Sequence, residues 1–186
     1  ISACLVGSEM CIRDSYNPII KPQDVRPSRP DYEVIGAFNT GVARLGNEVV
    51  LLLRVAERPV NPNPKVYLAP MYDADKRRLV VETFEKDDPE CDFSDPRAMK
   101  TARGLYLTSI SHLRVAKSKD GIDFDIEEPP ALCPENAYEG YGIEDPRITL
   151  IGGTYYLNYS AAAPIGITTC LASTADFKSF RRHGVI

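Results

Sequence analysis

The chain has 186 residues, 44% of them apolar and 26% charged, with a formal net charge of −4. That balance fits a globular protein and excludes wholesale disorder, and the lack of a lysine/arginine run argues against a nucleic-acid partner. No apolar stretch reaches the ~20 residues that a membrane span needs.

Fifteen prolines, ten tyrosines and short apolar runs broken by Gly, Pro, Asn and Asp give the texture of many short strands joined by turns. The five cysteines, Cys4, Cys11, Cys91, Cys133 and Cys170, are odd in number and match no metal spacing. They read as free thiols of a reducing, cytoplasmic compartment, with one or two disulfides as the alternative.

In chain order, residues 1–15 (ISACLVGSEMCIRDS) show no strand or helix period and lack the basic start and apolar core of a secretory signal. They read as a non-native leader, with a short native tail as the alternative, and the domain is expected over 16–186. Residues 39–54 (NTGVARLGNEVVLLLR) predict a strand, a Gly46-Asn47 turn and a second strand. Arg54 ends the apolar run, where it either caps the sheet or reaches a ligand. Glu57 and Arg58 follow and are expected to pair with each other.

Residues 59–106 read as an insertion, with a hairpin over 65–69 and 79–83 and an acidic loop over 85–95. Asp95-Pro96-Arg97 lies in it and reads as a loop. His112 reads as structural, and Arg114 as a charge on a strand face. Residues 115–124 (VAKSKDGIDF) predict a turn begun by Asp120, with Phe124 packing between sheets.

Residues 145–160 (DPRITLIGGTYYLNYS) repeat the first hairpin without gaps, placing Asp145 where Asn39 stood and Gly152-Gly153 at the turn. Residues 171–180 (LASTADFKSF) repeat the Asp-turn segment. The order is the same twice, hairpin then Asp-turn pair, as in successive four-stranded blades of a β-propeller. The fold class is therefore all-β. Blade one covers about 36–130 with its insertion, and blade two about 140–186 and truncated. Two blades cannot close a ring, so the chain reads as the N-terminal part of a larger propeller. A complete small β-sandwich is the rival. His183 receives no role.

Chemistry concentrates at Gly142-Ile143-Glu144-Asp145-Pro146-Arg147. Pro146 is expected to hold Asp145 in extended geometry. Strand alternation then places Asp145 and Arg147 on one side and Glu144 on the other. Asn39 and Asp145 both stand at the start of a blade's first strand, and both either face one ligand in the channel or merely begin turns.

FNTG (38–41), LLLRVAERP (51–59), SISHLRVAKSKDGIDF (109–124), GIEDPRIT (142–149) and STADFKSFRRHGVI (173–186) together resemble glycoside hydrolase family 130, from about Asn17 to the last residue. The resemblance is greatest to the enzymes acting on β-1,2-linked mannooligosaccharides. It implies a five-bladed propeller with roughly its first two blades present, Asp145 as the catalytic acid, and Asn39, Arg54, Glu144 and Arg147 as substrate contacts. It further implies no metal and no cofactor, with inorganic phosphate as co-substrate. Phosphate would attack the anomeric carbon of a mannooligosaccharide, and mannose 1-phosphate would leave with inversion. A hydrolase of the same bond is the alternative and would need a second carboxylate ~6.5–9.5 Å away, for which Glu57 is the candidate. A non-catalytic sugar-binding propeller is a third reading, and self-association into a homo-oligomer stays open.

Overall fold

Thirteen strands carry the fold of the computed structural model, which describes residues 17–186. The expected leader at 1–15, with Cys4 and Cys11, lies outside the described residues. The strands are β1 (Tyr32–Leu45), β2 (Glu48–Pro59), β3 (Val66–Asp73), β4 (Arg78–Glu85), β5 (Asp92–Asp95), β6 (Ala98–Thr101), β7 (Gly104–Leu107), β8 (Ile110–Ser118), β9 (Asp125–Ile126), β10 (Gly142–Ile151), β11 (Thr154–Ala163), β12 (Gly166–Thr174) and β13 (Arg181–Val185).

They assemble as two antiparallel units in series, β1-β2-β8-β9 and β10-β11-β12-β13. Each opens with a long hairpin. Gly46 and Gly152 stand at the tips with φ of 60° and 56°, a conformation that costs glycine nothing. Each unit then turns on an aspartate in the same way. Asp120 accepts from the amides of Ile122 and Asp123, and Asp176 from those of Lys178 and Ser179. Ser118 and Thr174 accept from the turn amides of Gly121 and Phe177. Phe177 is wholly buried against Tyr155.

The seam between the units is narrow in backbone terms. β8 and β10 run parallel and meet at one register pair, Gly142 with Ser111. Side chains fill the rest. Val50, Leu52, Leu113 and Val115 from the first unit and Ile143, Leu157, Tyr159 and Phe177 from the second form one buried cluster. Burial of each large apolar side chain contributes about 1.5–3 kcal/mol. The other face of β2 is covered by the segment before β1, where Val25 packs on Leu53 and Val55.

Between β2 and β8 the extra residues form a β3–β4 hairpin and a small β5-β6-β7 sheet around Ala69, Phe84 and Met99. The acidic stretch therefore ends in a strand, β5, rather than remaining a loop throughout. Asp95-Pro96-Arg97 forms the β5–β6 turn, with Asp95 accepting from the Arg97 amide at 2.9 Å. The insertion holds on to the segment leading into β10: the Tyr72 amide donates to the Gly140 carbonyl at 2.8 Å, and the Tyr141 hydroxyl donates to the Leu105 carbonyl.

Candidate active site

Asn39 and Asp145 lie at matching irregularities of β1 and β10. The β1–β2 register slips between Phe38 and Gly41, and the β10–β11 register slips between Glu144 and Arg147. Both residues have φ near +50° (48° and 50°), in the left-handed region that Asn and Asp tolerate better than other side chains. The kinks turn the two side chains toward each other, and Asn39 Nδ2 donates to Asp145 Oδ1 at 2.9 Å. The extended geometry expected of Asp145 from Pro146 is thus overturned. The preference that proline imposes on its predecessor loses to the bulge. Nor does either residue begin its strand: Asn39 lies midway along β1 and Asp145 three residues into β10.

The bulge also reverses the expected sidedness of Glu144. With one residue left out of the pairing, Glu144 and Asp145 reach the same partner, Arg54, which projects from β2 across the seam. Arg54 Nη1 donates to Asp145 Oδ1 at 2.8 Å, Nη2 to Glu144 Oε1 at 2.6 Å, and Nε to Ser111 Oγ at 3.2 Å. Its guanidinium also lies 4.7 Å from the ring centre of Phe38. Arg147 takes another course, its Nη1 donating to the Pro146 carbonyl at 3.0 Å. It acts on Asp145 only as a nearby positive charge.

Two carboxylates on one guanidinium cannot both be fully compensated, and their proton affinities separate. Burial raises the Glu144 carboxyl, Arg54 partly offsets that, and the Asp145 charge adds to the rise, so the net shift is upward. Burial also raises Asp145. There the Asn39 amide and the bonds and charge of Arg54 outweigh it, and the carboxyl is held below its ordinary value. The Asp145 side chain keeps 36% of its surface open, against 15% for Arg54. Asn39 beside it is exposed as well, so these two form the open edge of the cluster.

Glu57 stands apart from this cluster, 1% exposed. It accepts from the Ser28 amide at 2.7 Å and from the Ser28 hydroxyl, and lies 3.6 Å from Arg114. It does not pair with Arg58, which bonds Glu33 at 2.6 Å. Arg114, expected on a strand face, is itself 1% exposed. Its Nε can only donate and does so to His112 Nε2 at 3.0 Å, which leaves the proton of a neutral imidazole on Nδ1. Burial first, then the Arg114 charge, depress the His112 pKa to about 3. His112, Glu57 and Arg114 form a buried structural network that also anchors the segment before β1. His183 contacts the Ser173 hydroxyl at 2.8 Å. Among the described residues, no group of three His, Cys, Asp or Glu side chains is arranged to hold a metal ion.

Ser111 and Phe38 were not legible as parts of the cluster. Their only sequence signals are the neighbours Asn39 and His112, because cross-strand partners become visible only once register is known.

A first strand kinked at a polar residue, Asn39 in one blade and Asp145 in the next, marks two serial blades of a β-propeller with their polar centre at the seam. Residues 105–186 match the family model described as β-1,4-mannooligosaccharide phosphorylase of glycoside hydrolase family 130. A β-1,2-mannobiose phosphorylase of Listeria innocua is 47% identical over 178 residues, 94% of this chain and 50% of that protein. A 1,2-β-oligomannan phosphorylase of a Thermoanaerobacter species is 38% identical over 84 residues, 44% of this chain and 28% of that protein. The solved Listeria innocua β-1,2-mannobiose phosphorylase in complex with β-1,2-mannobiose superposes with a TM-score of 0.87 at 46% identity, over 93% of this chain and 50% of that one.

The chain is thus similar to glycoside hydrolase family 130 along most of its length, and its two blades superpose on about half of the Listeria structure. It spans about half the length of the Listeria relative. No helix among the described residues is long and apolar enough to cross a membrane.

Proposed function

We propose that the protein is an inverting glycoside phosphorylase that cleaves β-mannosidic bonds, β-1,2 bonds in mannooligosaccharides foremost, with inorganic phosphate. The observation that carries this is the Asp145 carboxyl, half-open at the seam and held by Asn39 and Arg54. The β-1,2 linkage is favoured over the β-1,4 linkage of the family description because the Listeria relative matches along both blades and the insertion, whereas the family match begins at residue 105.

In this reading a phosphate oxygen attacks the anomeric carbon, and the bond to the leaving sugar oxygen breaks on the opposite face. That oxygen takes a proton from Asp145, directly or through a sugar hydroxyl. The products are mannose 1-phosphate and a sugar one unit shorter. In the open site Asn39 and Arg54 favour the Asp145 carboxylate. Substrate binding covers the exposed oxygen and excludes water, which raises its proton affinity toward that of a working acid. After transfer, the same two partners stabilise the carboxylate that remains. Asn39, Arg54 and Glu144 line the place where the sugar is bound. Glu57 is unsuited to activating water, since both its oxygens are committed to Ser28 in the interior.

The cytoplasm suits the free thiols Cys91, Cys133 and Cys170, and phosphate is abundant there. The test is to incubate the protein, as its gene encodes it, with β-1,2-mannobiose with and without phosphate. Mannose 1-phosphate that appears only with phosphate, and not from Asp145→Asn, supports the reading. Free mannose released equally without phosphate replaces it with a hydrolase. Binding without turnover replaces it with a sugar-binding propeller.

A further inference from the structure

Every phenylalanine and tyrosine among the described residues is buried or half-buried except one. Phe38 keeps 40% of its surface exposed, and it immediately precedes Asn39 on β1. The ring is placed by specific neighbours. It lies back along its own strand over Gly36, where an added Cβ would fall 2.2 Å from a ring carbon. Across the β1–β2 ladder its register partner is Arg54, whose guanidinium sits 4.7 Å from the ring centre while bonding Asp145 and Glu144. A side chain at residue 36 would expel the ring from this position.

A ring left two-fifths open to water forgoes part of the stabilisation that burial would give it. The exposed ring stands beside the two residues that grip the Asp145 carboxyl. Pyranose rings carry hydroxyls around a rim and present a C–H face, and a C–H face packs on the negative face of an aromatic ring. Arg54 packs on that ring and at the same time orients the carboxyl, so platform and acid share one support.

We infer that Phe38 is a specificity-determining residue, an aromatic platform for the C–H face of the sugar unit that Asp145 addresses, with Gly36 as the space that lets the ring lie flat. This deepens the phosphorylase reading and rests on it.

The experiment uses the protein as its gene encodes it, with β-1,2-mannobiose as probe. Binding is measured by calorimetry, and turnover with phosphate by mannose 1-phosphate release. Phe38→Ala should raise Kd and KM roughly three- to ten-fold, the range expected for one lost aromatic contact, while kcat and the thermal midpoint change little. Phe38→Tyr should restore binding. Gly36→Ala, which keeps the ring but displaces it, should reproduce the loss. Unchanged Kd and KM in Phe38→Ala, or a fall in thermal midpoint without a change in Kd, would overturn the platform and leave the phosphorylase reading standing. A wild-type protein that neither binds nor cleaves the disaccharide would overturn both.

Discussion

Asn39 and Asp145 occupy the same position in successive blades and share one hydrogen bond, Nδ2 to Oδ1 at 2.9 Å, each from a backbone kinked to φ near +50° (48° and 50°). The kinks aim the side chains, and the amide fixes which carboxylate oxygen remains for a ligand. Replacing Asn39 by glycine removes the amide while keeping the positive φ free of strain. A hydrogen bond to a charged group contributes about 1.5–3 kcal/mol. Asn39→Gly should therefore lower kcat/KM for β-1,2-mannobiose phosphorolysis by about ten-fold or more, with little change in thermal midpoint. Asn39→Ala should add a loss of stability of about 1–2 kcal/mol, because alanine pays for the left-handed conformation.

Glu144 and Asp145 compete for Arg54. Removing the Glu144 charge leaves Arg54 wholly to Asp145 and lowers the proton affinity of Asp145 further. An acid that gives up its proton more easily loses it at lower pH. Glu144→Gln should shift the alkaline limb of the kcat–pH profile toward acid. A shift toward alkali, or none, would show that the two carboxyls do not interact in the working complex.

His112 has its pKa depressed to about 3 by burial and by Arg114, against 6.5 for an unperturbed imidazole. Between those values the unfolded chain binds a proton that the folded chain refuses, so stability falls as pH drops through this window. The slope is at most about 1.4 kcal/mol per pH unit for one group. Denaturant melts from pH 7 to pH 4 should show it, and His112→Gln should flatten the part of the curve that belongs to this residue.

Gly142 makes the one register pair of the β8–β10 ladder, with Ser111. A Cβ there would meet the Ser111 amide nitrogen at 2.5 Å and its carbonyl oxygen at 2.7 Å, and φ is +118°. Neither obstacle is a movable side chain. Gly142→Ala should destabilise the fold by about 3 kcal/mol or more in denaturant melts. Because Ser111 also accepts from Arg54, activity should fall under conditions where the variant is still folded.

The propeller repeat was legible because its signals are local. Glycine at the tips of two hairpins and an aspartate bonding the amides that follow it leave the same mark in each copy. The candidate site was legible in part: Arg147, expected beside Asp145, turns away to the Pro146 carbonyl. Asp145, Asn39, Arg54 and Glu144 do come together, yet alternation and the proline rule put Glu144 on the wrong side of the strand and gave Asp145 the wrong backbone. A bulge displaces one residue and is recorded only in the partner strand. The interior network was missed for a related reason. Nothing near Arg114 or Glu57 in sequence shows that the two meet inside the molecule, with Glu57 also accepting from Ser28, and charges of that kind ordinarily face water. The acidic stretch of the insertion was read by its charge, while Phe93 and Cys91 within it pack against the small core of Ala69, Phe84 and Met99.

The doubled kink has a consequence for how such a centre can arise. One irregularity of the backbone, copied with the repeat, delivers two side chains of nearly identical shape to one point. They differ by the exchange of an amide nitrogen for an oxygen, and that exchange divides the labour between a carboxyl that can carry a proton and an amide that can only present one. The scaffold's own redundancy thus supplies the asymmetry that acid chemistry needs, without any new loop being added.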